Sequence, residues 1–513
     1  MRSIRTLARA VAVLSLAPTV ASSQALISVT SLYVTYNTRK VTTNPTGELK
    51  ARIDSVDRDL QVASRLGRTG EVRRLLAKGN ALLSNRPWTD AADFNASLLL
   101  RSDRVVVESQ KPYTVRIEQL FSPAIELSRS LSAHATLTSR PTGGAPNQPA
   151  VVVKDLGRFD GVSRDLRESP FAMEFDLRDV PDGRYTLVVD LTDSSRALGS
   201  ATLGLMVKKG IDETVSRLEV AAKRAPDALR AEILYPVDRM RNVNRGRLEL
   251  RTWDVDRDFA ATDSVVAVVQ KGKDPFAKRT GDMKRHYVLP AANEVMPYRL
   301  YVPTRYVASK SMPLIVALHG LGATEDSFFD QYGKKLPELA EQHGYILVAP
   351  LGYRVDGGYG SGVAAPPVDP VARRSSELSE LDVMHVLADV RRLYNVDSSR
   401  IYLMGHSLGA IGTWKLAAKY PDIWAAIGPF AGQGAATTME RMKHIPAFVV
   451  HGDNDPTVNV RGSRTMVDAM KTHSVDFTYI EVPGGDHSNV VAPNFAGMMK
   501  FFDARTKGGR KSP

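Results

Sequence analysis

The pentapeptide Gly405-His406-Ser407-Leu408-Gly409 follows the apolar run Ile401-Tyr402-Leu403-Met404 and precedes a stretch with helical spacing. A serine hydroxyl is a poor nucleophile until a neighbouring base removes its proton. A Gly-x-Ser-x-Gly turn from strand into helix presents that hydroxyl at a sheet end, where only glycines (here Gly405 and Gly409) fit on either side. The acid and the base should then follow in that order along the chain. His451-Gly-Asp453-Asn-Asp455-Pro follows the apolar strand Ala447–Val450, and Pro483-Gly-Gly-Asp486-His487-Ser follows the strand Phe477–Val482. His487 is thus the expected general base and acid, with one aspartate fixing its tautomer. Spacing leaves both Asp453 and Asp455 open for that place.

Attack on a carbonyl carbon also needs N–H donors for the negative oxygen that forms. One is the Leu408 N–H, directly after the nucleophile. The other is expected from Leu321, in the turn His319-Gly320-Leu321-Gly322 that ends the apolar strand Leu314–Leu318. His319, His406 and His451 are read as structural histidines. This chemistry requires no metal and no cofactor.

These groups must be held by elements that alternate. From about residue 283, apolar strands at 298–302, 314–318, 346–349, 401–404, 425–427, 447–450 and 477–482 are separated by helical patterns at 325–343, 376–394, 407–419, 462–471 and 494–505. Buried strands joined by helices predict an α/β fold, a mostly parallel sheet with helices on both faces. Its sites lie beyond the carboxyl ends of the strands. Between residues 352 and 367 runs a Gly/Pro-rich stretch, expected to cover or line the acyl pocket with Tyr353 and Tyr359.

The chain before this region is patterned differently. Leu49, Ile53, Val56, Leu60 and Ala63, then Val72, Leu75, Leu76 and Leu82, give two amphipathic helices broken at Gly67–Gly70, within a helical segment 24–99. From 100 to 210 about seven short period-two runs with turn chemistry between them predict an antiparallel sandwich of immunoglobulin-like type. Residues 211–282 return to helical spacing as a connector, the catalytic domain spans 283–505, and 506–513 is expected to be a disordered tail. The amino-terminal half offers no nucleophile–base set, so the chemical step is expected to run without it.

Composition narrows the classes further. The chain has 513 residues, 43% hydrophobic and 24% charged, which excludes fibrous and wholly disordered readings. It has no cysteine, so disulfides, thiolate catalysis and cysteine-held metals are excluded. Of the net charge of +12, +10 lies in residues 1–280, yet acidic and basic residues alternate there and form a solvated surface. No nucleic-acid or membrane patch is read. Arg2, Arg5 and Arg9, the apolar run Ala10 to Ala17 and the small residues Ala21-Ser22-Ser23 predict a signal peptide over 1–23, with export to periplasm or medium. No later segment is long and apolar enough to span a membrane.

Tyr298–Pro303, the His319-Gly320 turn, the elbow with Gly412-Thr413-Trp414, and Tyr420–Ala426 make residues 283–505 resemble the α/β-hydrolase superfamily. The resemblance is to its branch of secreted feruloyl-esterase and poly(3-hydroxybutyrate)-depolymerase-like enzymes. It implies a serine esterase acting on carboxylic esters through an acyl-enzyme, and it assigns the triad acid to Asp455, leaving Asp453 a loop-capping role. Gly-Thr-Trp followed by Tyr-Pro-Asp is also similar to peptidases related to prolyl oligopeptidases, which makes a serine peptidase the alternative. A vestigial, non-catalytic binding protein is the third reading. The expected partner is an ester substrate, small or polymer-linked.

Overall fold

The computed structural model describes residues 29–123, 125–127, 130–140, 150–194, 196–251, 253–362 and 370–510. The expected signal peptide and part of the Gly/Pro-rich stretch lie outside these residues.

Eight strands form the central sheet of the carboxyl-terminal half, numbered here β1 Gly281–Leu289, β2 Glu294–Val302, β3 Met312–Leu318, β4 Ile346–Pro350, β5 Val396–His406, β6 Ala426–Phe430, β7 Ala447–Gly452 and β8 Phe477–Val482. Their order is β8-β7-β6-β5-β3-β4-β2-β1. All neighbours from β4 to β8 run parallel, while β2 pairs antiparallel with both β4 and β1. Strands β3, β4, β6 and β7 are buried almost throughout, which is why they read as unbroken apolar runs. Two apolar clusters cover the two faces: Leu314, Val316, Leu403 and Trp414 belong to one, Ile315, Ala317, Tyr402 and Phe430 to the other. The chain order reverses around β3, so the turns after β3 and β5 open side by side, at the place where such sheets hold their sites.

Two expected boundaries fall inside strands: 282/283 cuts β1 and 99/100 cuts the strand Leu98–Ser102. The helix expected over 325–343 is broken into Ser327–Asp330 and Lys335–His343. Tyr332, Gly333 and Lys334 between them all have positive φ, which no α-helix accommodates. The tail is ordered further than expected. Thr506 pairs with Gly509, Lys507 N–H donates to the Ser399 carbonyl (2.8 Å), and Tyr402 Oη donates to the Arg505 carbonyl (2.6 Å).

In the amino-terminal half, the helices Gly47–Arg65 and Thr69–Leu83 pack through Ile53, Val56, Leu60 and Leu76. A three-stranded sheet (Leu98–Ser102, Tyr113–Gln119, Phe171–Phe175) and a five-stranded sheet (Val106–Val107, Arg196–Val207, Gly183–Asp193, Ser130–Ser139, Val151–Ser163) share one core through residues such as Ile117, Leu137 and Leu203. Ile233, Val237 and Val243 of helix Asp227–Asn244 belong to the same core. Among the described residues no helix is long and apolar enough to cross a membrane.

That helix also faces the other way. Glu232, 2% exposed, accepts from Arg285 Nε at 2.7 Å and bonds His286 Nδ1 at 2.6 Å, both on edge strand β1. Burial opposes the charge of Glu232, but His286 and Arg285 outweigh it and hold its pKa below the ordinary carboxylate range. Tyr235 stacks on His286 at 3.9 Å, and Asp238 Oδ2 accepts the Val295 N–H of β2 at 2.9 Å. The connector is therefore part of the cover of the sheet edge, and its removal would uncover Arg285, His286 and the Val295 N–H. Removing one partner of a buried ion pair costs about 3–5 kcal/mol. A chain beginning at Thr280 is expected to aggregate or to melt well below the full chain by light scattering and calorimetry. A monodisperse truncate with an unchanged Tm would contradict this.

Candidate active site

Strand β5 ends at His406, and helix Leu408–Lys419 starts two residues later, so Ser407 takes the whole turn. Its backbone sits at φ 57°, ψ −120°, a conformation costing of order 1–3 kcal/mol that persists only where the surroundings enforce it. Here the Ser407 N–H donates to the Phe430 carbonyl of β6 at 2.9 Å, while the Ser407 carbonyl accepts from Ala410 N–H at 2.9 Å. A Cβ at Gly405 would collide with Gly409 backbone, and one at Gly409 with the Leu318 carbonyl. The two glycines let β3, β5 and the helix meet at contact distance.

The turn after β3 closes on this elbow. A Cβ placed on Gly320 would lie 3.3 Å from Ser407 Cβ, so the His319–Gly322 backbone borders Ser407. Among the described residues no hydrogen bond engages the N–H of Leu321 or of Leu408.

The two later loops bring the remaining groups. His487 Nδ1 bonds Asp455 Oδ2 at 2.7 Å. Asp455 has a fully buried side chain and also takes the Thr457 and Val458 N–H groups on Oδ1, at 2.7 and 2.9 Å, with His451 Nε2 3.2 Å from Oδ2. Burial opposes ionisation of Asp455, but the bonds from His451, His487 and Val458 prevail and keep its pKa well below the carboxylate range. Asp453 turns elsewhere: its Oδ1 caps the Gly484 N–H at 2.6 Å. Asp486 caps Ser488 and Asn489. Among the described residues no hydrogen bond joins Ser407 Oγ to His487, and such bonds are often long until substrate is bound.

Spacing did not point to the supports. His451 also bonds Ser463 Oγ at 2.7 Å, and Ser463 donates to the Gly432 carbonyl. The four-residue interval from His451 to Asp455, across a turn, is the one signal for that contact. His406 bonds the His487 carbonyl through Nε2 at 2.8 Å and takes the Tyr332 hydroxyl on Nδ1 at 3.2 Å, its ring 4.8 Å from that of His487. Burial first, then repulsion from His487, pushes His406 down to about 4 from the ordinary 6.5.

The unfolded chain therefore takes up that proton near 6.5 and the folded one near 4. Stability from this group is complete above the first value and falls as pH drops toward the second, by about 3 kcal/mol in all. His406→Gln keeps a donor and an acceptor but does not titrate. Its Tm should fall less than that of the wild type between about pH 7 and about pH 4.5, and equal falls would contradict the assignment.

Of the two tyrosines expected at the pocket, Tyr359 is buried and Tyr353 half-buried. Tyr359 is 1% exposed, beneath the turn after β3, and donates to the His319 carbonyl at 3.1 Å. Tyr353 Oη donates to Glu294 at 3.1 Å, with the Arg354 guanidinium stacked on its ring at 3.9 Å. Both rings are turned inward because the segment itself curls through positive φ at Gly352, Tyr353 and Gly358–Gly360.

One family match spans both the elbow and the turn after β3. Residues 296–445 match the family described as Esterase PHB depolymerase. Feruloyl esterase B of Neurospora crassa is 32% identical over 133 residues, which is 26% of this chain and 42% of that protein. Feruloyl esterase B of Talaromyces funiculosus is 35% identical over 133 residues, covering 26% and 35%. The chain thus spans less than half the length of these relatives. Among solved structures, a thermostable esterase aligns over 80% of this chain and 99% of its own, at 16% identity and a TM-score of 0.39. The similarity in sequence is to esterases, and the family match falls on the part of the chain that carries Ser407.

Proposed function

We propose that the protein is a serine esterase that cleaves carboxylic esters through an acyl-enzyme. The observation that carries the reading is the convergence, at one edge of the sheet, of the Ser407 elbow, the Asp455–His487 bond and two N–H groups unengaged among the described residues. Ser407 Oγ attacks the acyl carbon as His487 Nε2 takes its proton. Asp455 holds Nδ1–H of His487 and stabilises the imidazolium that results. The Leu321 and Leu408 N–H groups receive the oxyanion. Collapse of the intermediate expels the alcohol, which leaves with the proton from His487. Water, deprotonated in turn by His487, then releases the acid and restores Ser407.

The names of the relatives favour acyl groups carried on polysaccharide, feruloyl or acetyl, as the substrate class. Export, read from residues 1–23, fits a substrate outside the cell. The test is turnover of p-nitrophenyl acetate and methyl ferulate against peptide p-nitroanilides of matched size. Hydrolysis of the esters without the amides is expected. Faster cleavage of the amides would replace this reading with a peptidase.

A further inference from the structure

The stretch after β4 holds an arrangement that neither a lid nor a pocket wall requires. Three of its hydrogen bonds end on the turn after β3. The Gly322 N–H donates to the Val355 carbonyl at 2.8 Å, Tyr359 Oη donates to the His319 carbonyl at 3.1 Å, and His319 Nε2 bonds the Leu351 carbonyl at 2.7 Å. Residues 319 and 322 are thus fixed on both sides of the Gly320–Leu321 peptide, whose N–H is unengaged among the described residues.

We propose that residues 351–361 are a brace that aims the Leu321 N–H at the reacting oxygen, with Tyr359 as its positioning residue. The proposal rests on the serine-esterase reading of the site.

The seat of the Tyr359 ring is made by residues from three parts of the chain. A Cβ at Gly412, inside the helix that follows Ser407, would lie 2.6 Å from the ring, and a Cβ at Gly352 would also lie 2.6 Å from it. Glycine inside a helix weakens it, so the room at Gly412 is kept against local preference. The Tyr359 N–H donates to Ser379 Oγ at 2.9 Å, and its φ of 53° belongs to the left-handed region that a bulky residue occupies only under constraint. The ring also meets His319 edge-on, at 5.8 Å. One buried side chain therefore touches both the oxyanion turn and the helix behind the nucleophile. Burial raises its hydroxyl well above the ordinary tyrosine range, so it remains a donor. Farther out, Arg354 bonds Glu294 at 2.7 Å and the Tyr353 N–H donates to Asp382 at 2.8 Å, which fastens the brace to β2 and to helix Pro370–Leu393.

An oxyanion donor acts only when it is aimed at the developing charge, and losing one outright costs 10²–10³ in kcat. Tyr359→Phe keeps the ring and removes one anchor, so in the full chain kcat for p-nitrophenyl acetate should fall about 10–100-fold. KM should stay within about twofold, because the ground-state carbonyl gains little from these donors. Affinity for a phenylboronic acid, which forms a tetrahedral adduct on the serine, should fall by the same factor as kcat/KM, with Tm changed by only a few degrees. A purely structural role would move Tm and leave the boronate affinity of the folded protein alone. Should Tyr359→Phe fail to fold, Gly412→Ala displaces the ring from behind and is judged by the same two readouts. A folded variant with kcat or boronate affinity within about twofold of wild type overturns the brace. Wild-type protein that forms no fluorophosphonate adduct at Ser407 overturns the esterase reading instead, and the brace with it.

Discussion

Ser407→Ala is expected to lower kcat for p-nitrophenyl acetate by roughly 10⁴–10⁶, and His487→Ala by a similar factor. The double variant should be hardly worse than either single one, since the hydroxyl and the base act as one unit. The fold should survive both changes. The constraints on the elbow come from backbone bonds to Phe430 and Ala410 and from the close approach of Gly405 and Gly409, none of which involves the Ser407 hydroxyl. Alanine at φ 57° is as strained as serine, so little stability is gained or lost. Stopped assays with each variant, alongside circular dichroism, check this. Near-additive losses in the double variant would mean that Ser407 and His487 serve different steps.

Asp455→Asn is expected to cost about 10³–10⁴ in kcat. The Thr457 and Val458 N–H groups both require an oxygen at Oδ1. The asparagine must therefore place its NH₂ toward His487 Nδ1, where Oδ2 now accepts. His487 then has to present Nδ1 as an acceptor and carry its proton on Nε2, facing Ser407, which is the wrong tautomer for a base. Asp453→Asn keeps an oxygen that can accept the Gly484 N–H and should cost less than about tenfold. Steady-state kinetics on both variants decide the matter. The reversed ranking would transfer the orienting role to Asp453.

Much of this candidate site was legible in the sequence because short buried parallel strands write themselves as apolar runs, and the loops that leave them carry the serine, the aspartates and the histidine. The choice between Asp453 and Asp455 was not legible from spacing. It depends on which side chain turns toward His487, and the backbone bonds of Thr457 and Val458 decide that. Strand β1 was missed because Arg285 stands on its inward face, in line with Met283 and Leu289, and is neutralised by Glu232 from an element fifty residues earlier. Tyr359 looked like a pocket aromatic because its neighbours are glycines. Its burial depends on the space at Gly412, far along the chain, which no local pattern records. The helix Val29–Thr43 falls within the expected helical segment 24–99, but its bounds were not read, since Val29, Thr30, Val34, Thr35, Val41 and Thr42 are β-branched and have weak helical preference.

The central claim is that Ser407 is the nucleophile. Reaction of the full chain with a fluorophosphonate, followed by digestion and peptide mass analysis, tests it most directly. The predicted result is one adduct, on the peptide containing Ser407, that appears as ester hydrolysis is lost and that is absent from Ser407→Ala. An adduct on another residue, or one that persists in Ser407→Ala, would contradict the account.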